Sequence, residues 1–280
     1  MGHTTVQDGM AIAIILVEQN LKVALELADR AVILTTGRTV FEDAVSSSPW
    51  CSTMPRSMLS IANAGGILSA DVAHRLVVDM STVLPVTEEA IAVEVKAKGA
   101  AFVECPVGGT VGPAREGRLF GLVGDDEADV SRARPLLEQL CRRVEHVGPP
   151  GAGARLKLAI NLPLLVYWQS LGEVLALCRP LGLAPERLVD IMADTSGAAA
   201  AMKNRAGDLA RALSGQLPSA ASFDVRAARK DLSTMVTYAK TLGLDLPTAS
   251  AALKSFDEAA LRGLAEEDAI AVPARWATVK

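Results

Sequence analysis

The chain has 280 residues, enough for one large domain or two modest ones with sizeable cores. Half of its residues are apolar and 21% are charged, which excludes a disordered chain. A net charge of −4 and 4% aromatic content leave neither a basic footprint for nucleic acid nor rings for base stacking.

Cys51, Cys105, Cys141 and Cys178 stand far apart, no two of them in CxxC spacing, and His3, His74 and His146 are equally scattered. Neither a zinc site nor a disulfide framework is expected; the thiols read as mostly buried and free, in a reducing, cytoplasmic compartment. The apolar runs at residues 10–17 and 158–168 are too short to span a bilayer, and the second also holds Asn161 and Pro163.

In chain order, residues 11–17 form a continuous β-rich apolar run. Residues 20–28 place Leu21, Ala24, Leu25 and Ala28 at helical spacing. A second strand is expected at 30–34, and Thr36-Gly37 turns into a third at 39–41. Ser46-Ser47-Ser48-Pro49 then breaks the pattern and marks a junction. Beyond it, residues 57–62 are weakly helical. Strands at 75–79, 101–104, 119–123 and 144–147 alternate with helices at 85–98 and 128–140, which predicts a mostly parallel sheet with helices on its faces. Past Gly153 the strands stop. Residues 155–178 read as one long apolar helix that Pro163 should kink, followed by helices at 185–194, 200–213, 224–242 and 248–262. The predicted fold is thus an α/β N-terminal part followed by an all-α C-terminal domain, divided as 1–48, 49–153 and 154–280.

Four clusters fall at the joints of this layout. Asp79-Met80-Ser81-Thr82 ends a strand, at the sheet edge where ligands bind in open α/β folds. Its plainer reading is a turn in which Ser81 or Thr82 caps the next helix. Residues 105–114, CPVGGTVGPA, with Gly117 after them, can bring backbone amides close to a carboxylate, or be only a flexible connection. After Gly151 and Gly153, Lys157 and Asn161 share one face of an otherwise apolar helix. A lysine there either reaches a wet cleft or titrates low, and both suit proton transfer; the alternative is an aliphatic stem snorkelling at a helix start. Lys230-Asp231-Leu232 reads by default as exposed helix charge.

Taken in order, DMST at 79–82, ECPVGGTVGPAREG at 104–117, GAGARLKLAIN at 151–161 and KDL at 230–232 resemble the β-hydroxyacid dehydrogenase (3-hydroxyisobutyrate dehydrogenase) family over residues 52–272. That family has DMST, then D-A-P-V-S-G-G-x-x-G-A-x-x-G, G-x-G-x-x-x-K-x-x-x-N and KDL. Glu173 also matches a glutamate of its long helix. The resemblance implies an oxidoreductase with a Rossmann-like domain and a 6-phosphogluconate dehydrogenase-like helical domain. It implies NAD or NADP as cofactor, a small 3-hydroxy acid as substrate, and a homo-oligomer formed through the helical domain. It assigns Lys157 to proton transfer, Gly108, Gly109, Thr110 and Asn161 to substrate, and Met54, Pro55, Thr82 and Lys230 to the cofactor.

Two departures stand out. Gly108 occupies the position where the family has serine, which removes one hydroxyl contact to substrate. No G-x-G-x-x-G is found before residue 50, so the Rossmann-like domain reads as truncated. Instead, AIILVEQNLKVALELADRAVILTTGRTVFED resembles the C-terminal part of a branched-chain amino-acid ABC-transporter ATPase, with Gln19 at the switch-histidine position. Two functions follow from this. One is a dehydrogenase, impaired to the extent that the glycine loop matters; the other is a non-catalytic fusion acting only as an oligomeric helical scaffold.

Overall fold

The computed structural model describes Ile12–Ile15, Leu34–Thr35, Arg38–Thr39, Ile61, Ile67–Ser69 and residues 71–278. The chain divides into two compact units, Met1–Lys157 and Leu158–Lys280. Described elements of the first unit are β1 (Ile12–Ile15), β2 (Leu34–Thr35), β3 (Arg38–Thr39), β4 (Leu76–Asp79), α1 (Pro85–Ala97), β5 (Ala101–Glu104), β6 (Val107–Gly108), α2 (Val111–Arg115), β7 (Leu119–Gly124), α3 (Glu127–Leu140) and β8 (Cys141–Gly148). Helix α4 (Ala152–Cys178) begins in this unit and continues into the second.

The sheet runs β1-β4-β5-β7-β6, with β8 on β7. Strands β1, β4 and β5 are parallel, and their ends are level: Ile15 pairs with Asp79 and Asp79 with Glu104. Both faces of β4 and β5 are covered, which is why these two strands read as unbroken apolar runs. Leu76, Val78 and Val103 point to the side of Val130, Ala133 and Leu137 of α3. Val77 and Phe102, one residue out of phase, point to the side of Ile91, Ala92 and Val95 of α1.

Three expectations are revised here. The front segment contributes a strand, β1, paired with β4, and of the strand expected at 30–34 only Leu34 lies among the described residues, in an antiparallel pair with Thr39. Strand β7 is antiparallel to β5 and β6 and parallel to β8, so the sheet is mixed. The glycine-rich segment is also more ordered than a loop: β6 pairs with β7, α2 follows, and Gly117 ends it at φ +64°. A side chain at Gly117 would begin 2.5 Å from the Gln139 carbonyl, so only glycine fits. The helix expected at 20–28 and the junction at 46–49 lie outside the described residues.

The second unit is helical, with α5 (Pro185–Ala193), α6 (Ala200–Lys203), α7 (Ala206–Leu213), α8 (Val225–Thr241), α9 (Pro247–Ala259) and α10 (Ala271–Thr278). Leu158, Leu165, Trp168, Leu171 and Leu175 make one stripe of α4 and pack with Leu232 and Met235 of α8 and Phe256 of α9. By length and composition α4 could cross a membrane, contrary to the reading of its apolar run as too short. Its apolar stripe is accounted for by this core. Pro163 lies inside the helix without ending it. Helix α10 was not among the expected elements; a Cβ on Gly172 would lie 2.4 Å from the indole of its Trp276.

The helix expected at 200–213 is split at Arg205, which leaves helical geometry (φ −122°, ψ 20°). Its guanidinium reaches the buried Asp268 at 2.8 Å, and Asp268 also accepts from Ser222 and Ile270. Burial alone would raise the Asp268 carboxyl, but Arg205 and these amides outweigh it and hold it below the usual range. Removing one partner of a buried pair leaves an uncompensated charge. Arg205→Ala should therefore cost about 3 kcal/mol in urea unfolding followed by circular dichroism.

Candidate active site

The level ends of β4 and β5 carry two carboxylates, and α1 brings a third. Asp79 is buried, and one of its oxygens accepts the Ser81 amide at 2.9 Å and the Ser81 hydroxyl. That closes a turn and leaves Thr82 half-buried beside the strand end. The plainer reading of this cluster does not hold: α1 starts after Leu84, with no side-chain cap. Glu104 is buried, and its Oε1 accepts the Gly153 amide at 2.7 Å, in the first turn of α4. Glu88 is fully buried, with neither carboxyl oxygen hydrogen-bonded.

Burial pushes the Glu88 carboxyl well up, and the nearby charges of Asp79 and Glu104 add to the rise. Burial also raises Glu104, from 4.5 to about 8, against the pull of the Gly153, Ala154 and Gly151 amides. Glu104 therefore mostly keeps its proton at neutral pH, and the Glu88 carboxyl is shifted in the same direction.

Lys157 stands one turn beyond Gly153 and is only 8% exposed, so its amine is not in bulk solvent. Along the glycine segment, Gly108 is half-buried and Gly109 and Thr110 are exposed. Gly109 has φ +123°, and a Cβ there would meet Leu119 Cδ2 at 2.9 Å. Gly108 has no such constraint. Its virtual Cβ is 3.7 Å from Phe120, ordinary contact, so a serine would fit.

In the helical unit, Asn161 Nδ2 donates to Asp231 Oδ2 at 3.4 Å, and Lys230 Nζ pairs with Asp231 Oδ1 at 2.6 Å. Asp231 is buried and Lys230 half-exposed. The default reading of this triplet as exposed charge thus fits Lys230 but not Asp231. Glu173 is exposed and accepts from Gln169 at 2.9 Å. Met54 and Pro55 lie outside the described residues.

Elsewhere in the first unit, Asp125, Asp126 and Asp129 bring carboxylate oxygens within 4.8 Å of one another. The Lys96 ammonium sits among them, 2.6 Å from Asp125 and 3.0 Å from Asp126.

Three residues that matter here were not singled out from the sequence. Asp231 lies inside the quoted KDL triplet, and Glu104 begins the quoted glycine segment. Glu88 had a readable signal: with Ile91, Ala92 and Val95 it falls on the apolar face of α1.

Two family profiles cover the chain. The NAD binding domain of 6-phosphogluconate dehydrogenase matches residues 7–148, and the NAD-binding domain of NADP-dependent 3-hydroxyisobutyrate dehydrogenase matches residues 151–275. The first match takes in residues 10–45. The chain is 33% identical to the 2-(hydroxymethyl)glutarate dehydrogenase of Eubacterium barkeri over 212 residues, 76% of this chain and 69% of that protein. It is also 33% identical to the 3-hydroxyisobutyrate dehydrogenase of Pseudomonas aeruginosa, over 68% of this chain and 65% of that one. A crystal structure of 3-hydroxyisobutyrate dehydrogenase from Salmonella typhimurium superposes with a TM-score of 0.65 at 27% identity, covering 71% of this chain and 68% of that one. The chain belongs to the β-hydroxyacid dehydrogenase family, with that family's Rossmann-like domain followed by a helical domain. The cofactor class is NAD or NADP.

The described residues fit the nicotinamide end of such a cofactor. Parallel strands end level at Ile15, Asp79 and Glu104, the edge where dinucleotides lie in open α/β folds, and the Asp79–Ser81 turn directly precedes the half-buried Thr82. Burial, which favours the protonated forms of Glu88 and Glu104, lowers the negative charge behind that edge.

The same two acids set a pH dependence of stability. Between the ordinary carboxyl value of 4.5 and about 8, the unfolded chain releases the Glu104 proton that the folded chain keeps. Stability is full below that window and falls as pH rises through it, at up to about 1.4 kcal/mol per pH unit for each such group. Glu88 contributes in the same sense. Melting temperature should drop from pH 5.5 to pH 8.5, and Glu88→Gln should make that drop clearly smaller by removing one ionisation from the unfolded state.

Proposed function

We propose that the chain is an oxidoreductase passing a hydride between NAD or NADP and a small 3-hydroxy acid, with Lys157 as the proton-transfer group. The observation that carries the reading is the burial of Lys157 one turn into α4. A buried amine is either neutral or tightly matched, and both conditions suit a group that takes an alcohol proton or returns one to a carbonyl oxygen.

When bound, the cofactor supplies the hydride chemistry. The chain's residues bind and orient. Backbone amides of the Gly108-Gly109-Thr110 segment hold the substrate carboxylate. Asn161, fixed by Asp231, orients the substrate hydroxyl. Met54, Pro55, Thr82 and Lys230 serve the cofactor. Because Gly108 lacks the serine hydroxyl but has room for one, the natural substrate differs from that of relatives with serine there.

Residues 10–45 are read as an ATPase-tail-like segment standing in the first β-α-β, with β1 as its contribution to the sheet. Support comes from the quoted run and from the lack of G-x-G-x-x-G before residue 50. Each charge-assisted hydrogen bond to a pyrophosphate is worth about 1.5–3 kcal/mol, so the loss of two or three weakens cofactor binding by orders of magnitude.

A second reading, an oligomeric helical scaffold without catalysis, is favoured by one observation. Ile160, Val174 and Leu177 of α4 are large, apolar and exposed, Leu177 at 80%. In the leading reading the same face makes a homo-oligomer of a cytoplasmic enzyme.

Fluorescence titration with NADH and NADPH separates the two. Saturable binding of either, with turnover on a 3-hydroxy acid that Lys157→Ala lowers at least about 100-fold, is the expected outcome. Silence toward both nucleotides would leave the scaffold. Gly108→Ser should leave the melting temperature unchanged within a degree or so while shifting KM among 3-hydroxy acids, since its Cβ enters ordinary contact.

A further inference from the structure

The first turn of α4 has no local cap. The residues before it are Gly148-Pro149-Pro150-Gly151, and none has a side chain that can accept a hydrogen bond. The free amides of a helix start need acceptors, and a side chain from 49 residues earlier supplies one: Glu104 Oε1 takes the Gly153 N–H at 2.7 Å.

That carboxyl is tightly confined. A Cβ on Gly124 would lie 2.1 Å from Glu104 Oε1, and one on Gly153 would lie 3.1 Å from it and 2.4 Å from the Leu122 carbonyl. Two glycines, one on β7 and one on α4, thus leave a slot that the Glu104 carboxyl fills. On the other side of the turn, Arg155 pairs with Glu89 at 2.6 Å, and a Cβ on Gly151 would meet Glu89 Oε1 at 2.6 Å.

Lys157 is four residues after Gly153, on the same helix face. Long side chains in a helix lean back over the turn N-terminal to them, so Lys157 extends over the turn that Glu104 grips. We propose that Glu104 is a positioning residue for Lys157, its side chain fixing the rotation of the helix start from which the lysine projects. The inference rests on the role given to Lys157 above.

The charged and titratable groups around Glu104 come from each element packed on it. Asp79 faces it from β4, Glu88 from α1 and Cys105 from its own strand end, while α4 brings the Gly151, Gly153 and Ala154 amides and β7 brings Gly124. Glu104 ionises at about 8. Above that pH its anion stands against the α4 amides, one turn below the lysine, and strengthens that amine's hold on its proton.

The test pairs Glu104→Gln, which keeps the carbonyl acceptor but cannot ionise, with Glu104→Ala, which loses both. Each is assayed for turnover of 3-hydroxyisobutyrate and 2-(hydroxymethyl)glutarate. Separately, the cofactor-free protein is labelled with acetic anhydride across pH 6–10, and acetylation of Lys157 is read by mass spectrometry. Glu104→Ala should lower kcat about 100-fold with KM little changed, while Glu104→Gln stays near wild type. The wild-type labelling profile should lag above pH 8, and Glu104→Gln should remove the lag, giving several-fold faster acetylation at pH 9. Equal labelling profiles overturn the inference, whatever the turnover. So does a Glu104→Ala protein with full kcat, or a Glu104→Gln protein as impaired as Glu104→Ala. Full turnover by Lys157→Ala instead refutes the function on which the inference rests.

Discussion

One hydrogen bond, from the Gly153 amide to Glu104, joins the end of the parallel sheet to the start of the longest helix. Much of the first unit is arranged around it. Gly124 and Gly153 are bare so that the carboxyl can enter, and the glycine segment begins at the next residue after Glu104. A buried carboxyl without a partner and a helix start without a local side-chain cap are each costly alone, and here each relieves the other. The helix amides stabilise the anion while burial opposes it, and the balance falls at about 8 rather than at an extreme. A group poised there has a charge that physiological pH can change.

The three acids at these strand ends fall into two kinds. Asp79 is drawn into a local turn with Ser81, whereas burial pushes the Glu88 and Glu104 carboxyls up. Neutral acids behind an open parallel edge let that edge accept a dinucleotide without repulsion. They do so at the expense of stability at alkaline pH. In the helical unit the opposite solution appears: Asp268 is buried as an anion because Arg205 and three donor groups surround it. The helix at 200–213 breaks where that arginine must turn inward.

The architecture was legible in the sequence wherever burial imposes a period. Strands β4 and β5, covered on both faces, read as solid apolar runs, and α1, α3 and α8 fall within a few residues of their expected limits. What could not be read came from long-range constraint. The split at Arg205 depends on a partner 63 residues away, and the pairing of β6 with β7 depends on register rather than composition. The candidate site was legible as motifs but not as physics. Lys157 and Asn161 were visible from spacing alone, yet Asp231, which holds Asn161, and Glu104, which holds the turn before Lys157, were seen only as letters in those motifs.

The front segment poses the same question in another form. A strand needs only its backbone and a parallel neighbour to extend a sheet, so many apolar runs can occupy the place of β1 beside β4. Gripping a pyrophosphate is more demanding, because the amides must approach closely at a helix start and only glycine permits that approach. A segment can therefore restore the sheet edge without restoring the grip. Ile15 pairing level with Asp79 and Glu104 meets the first requirement, and the residues before 50 lack the glycine spacing for the second. Extending a sheet rests on periodicity, whereas gripping a pyrophosphate rests on a few positions without side chains.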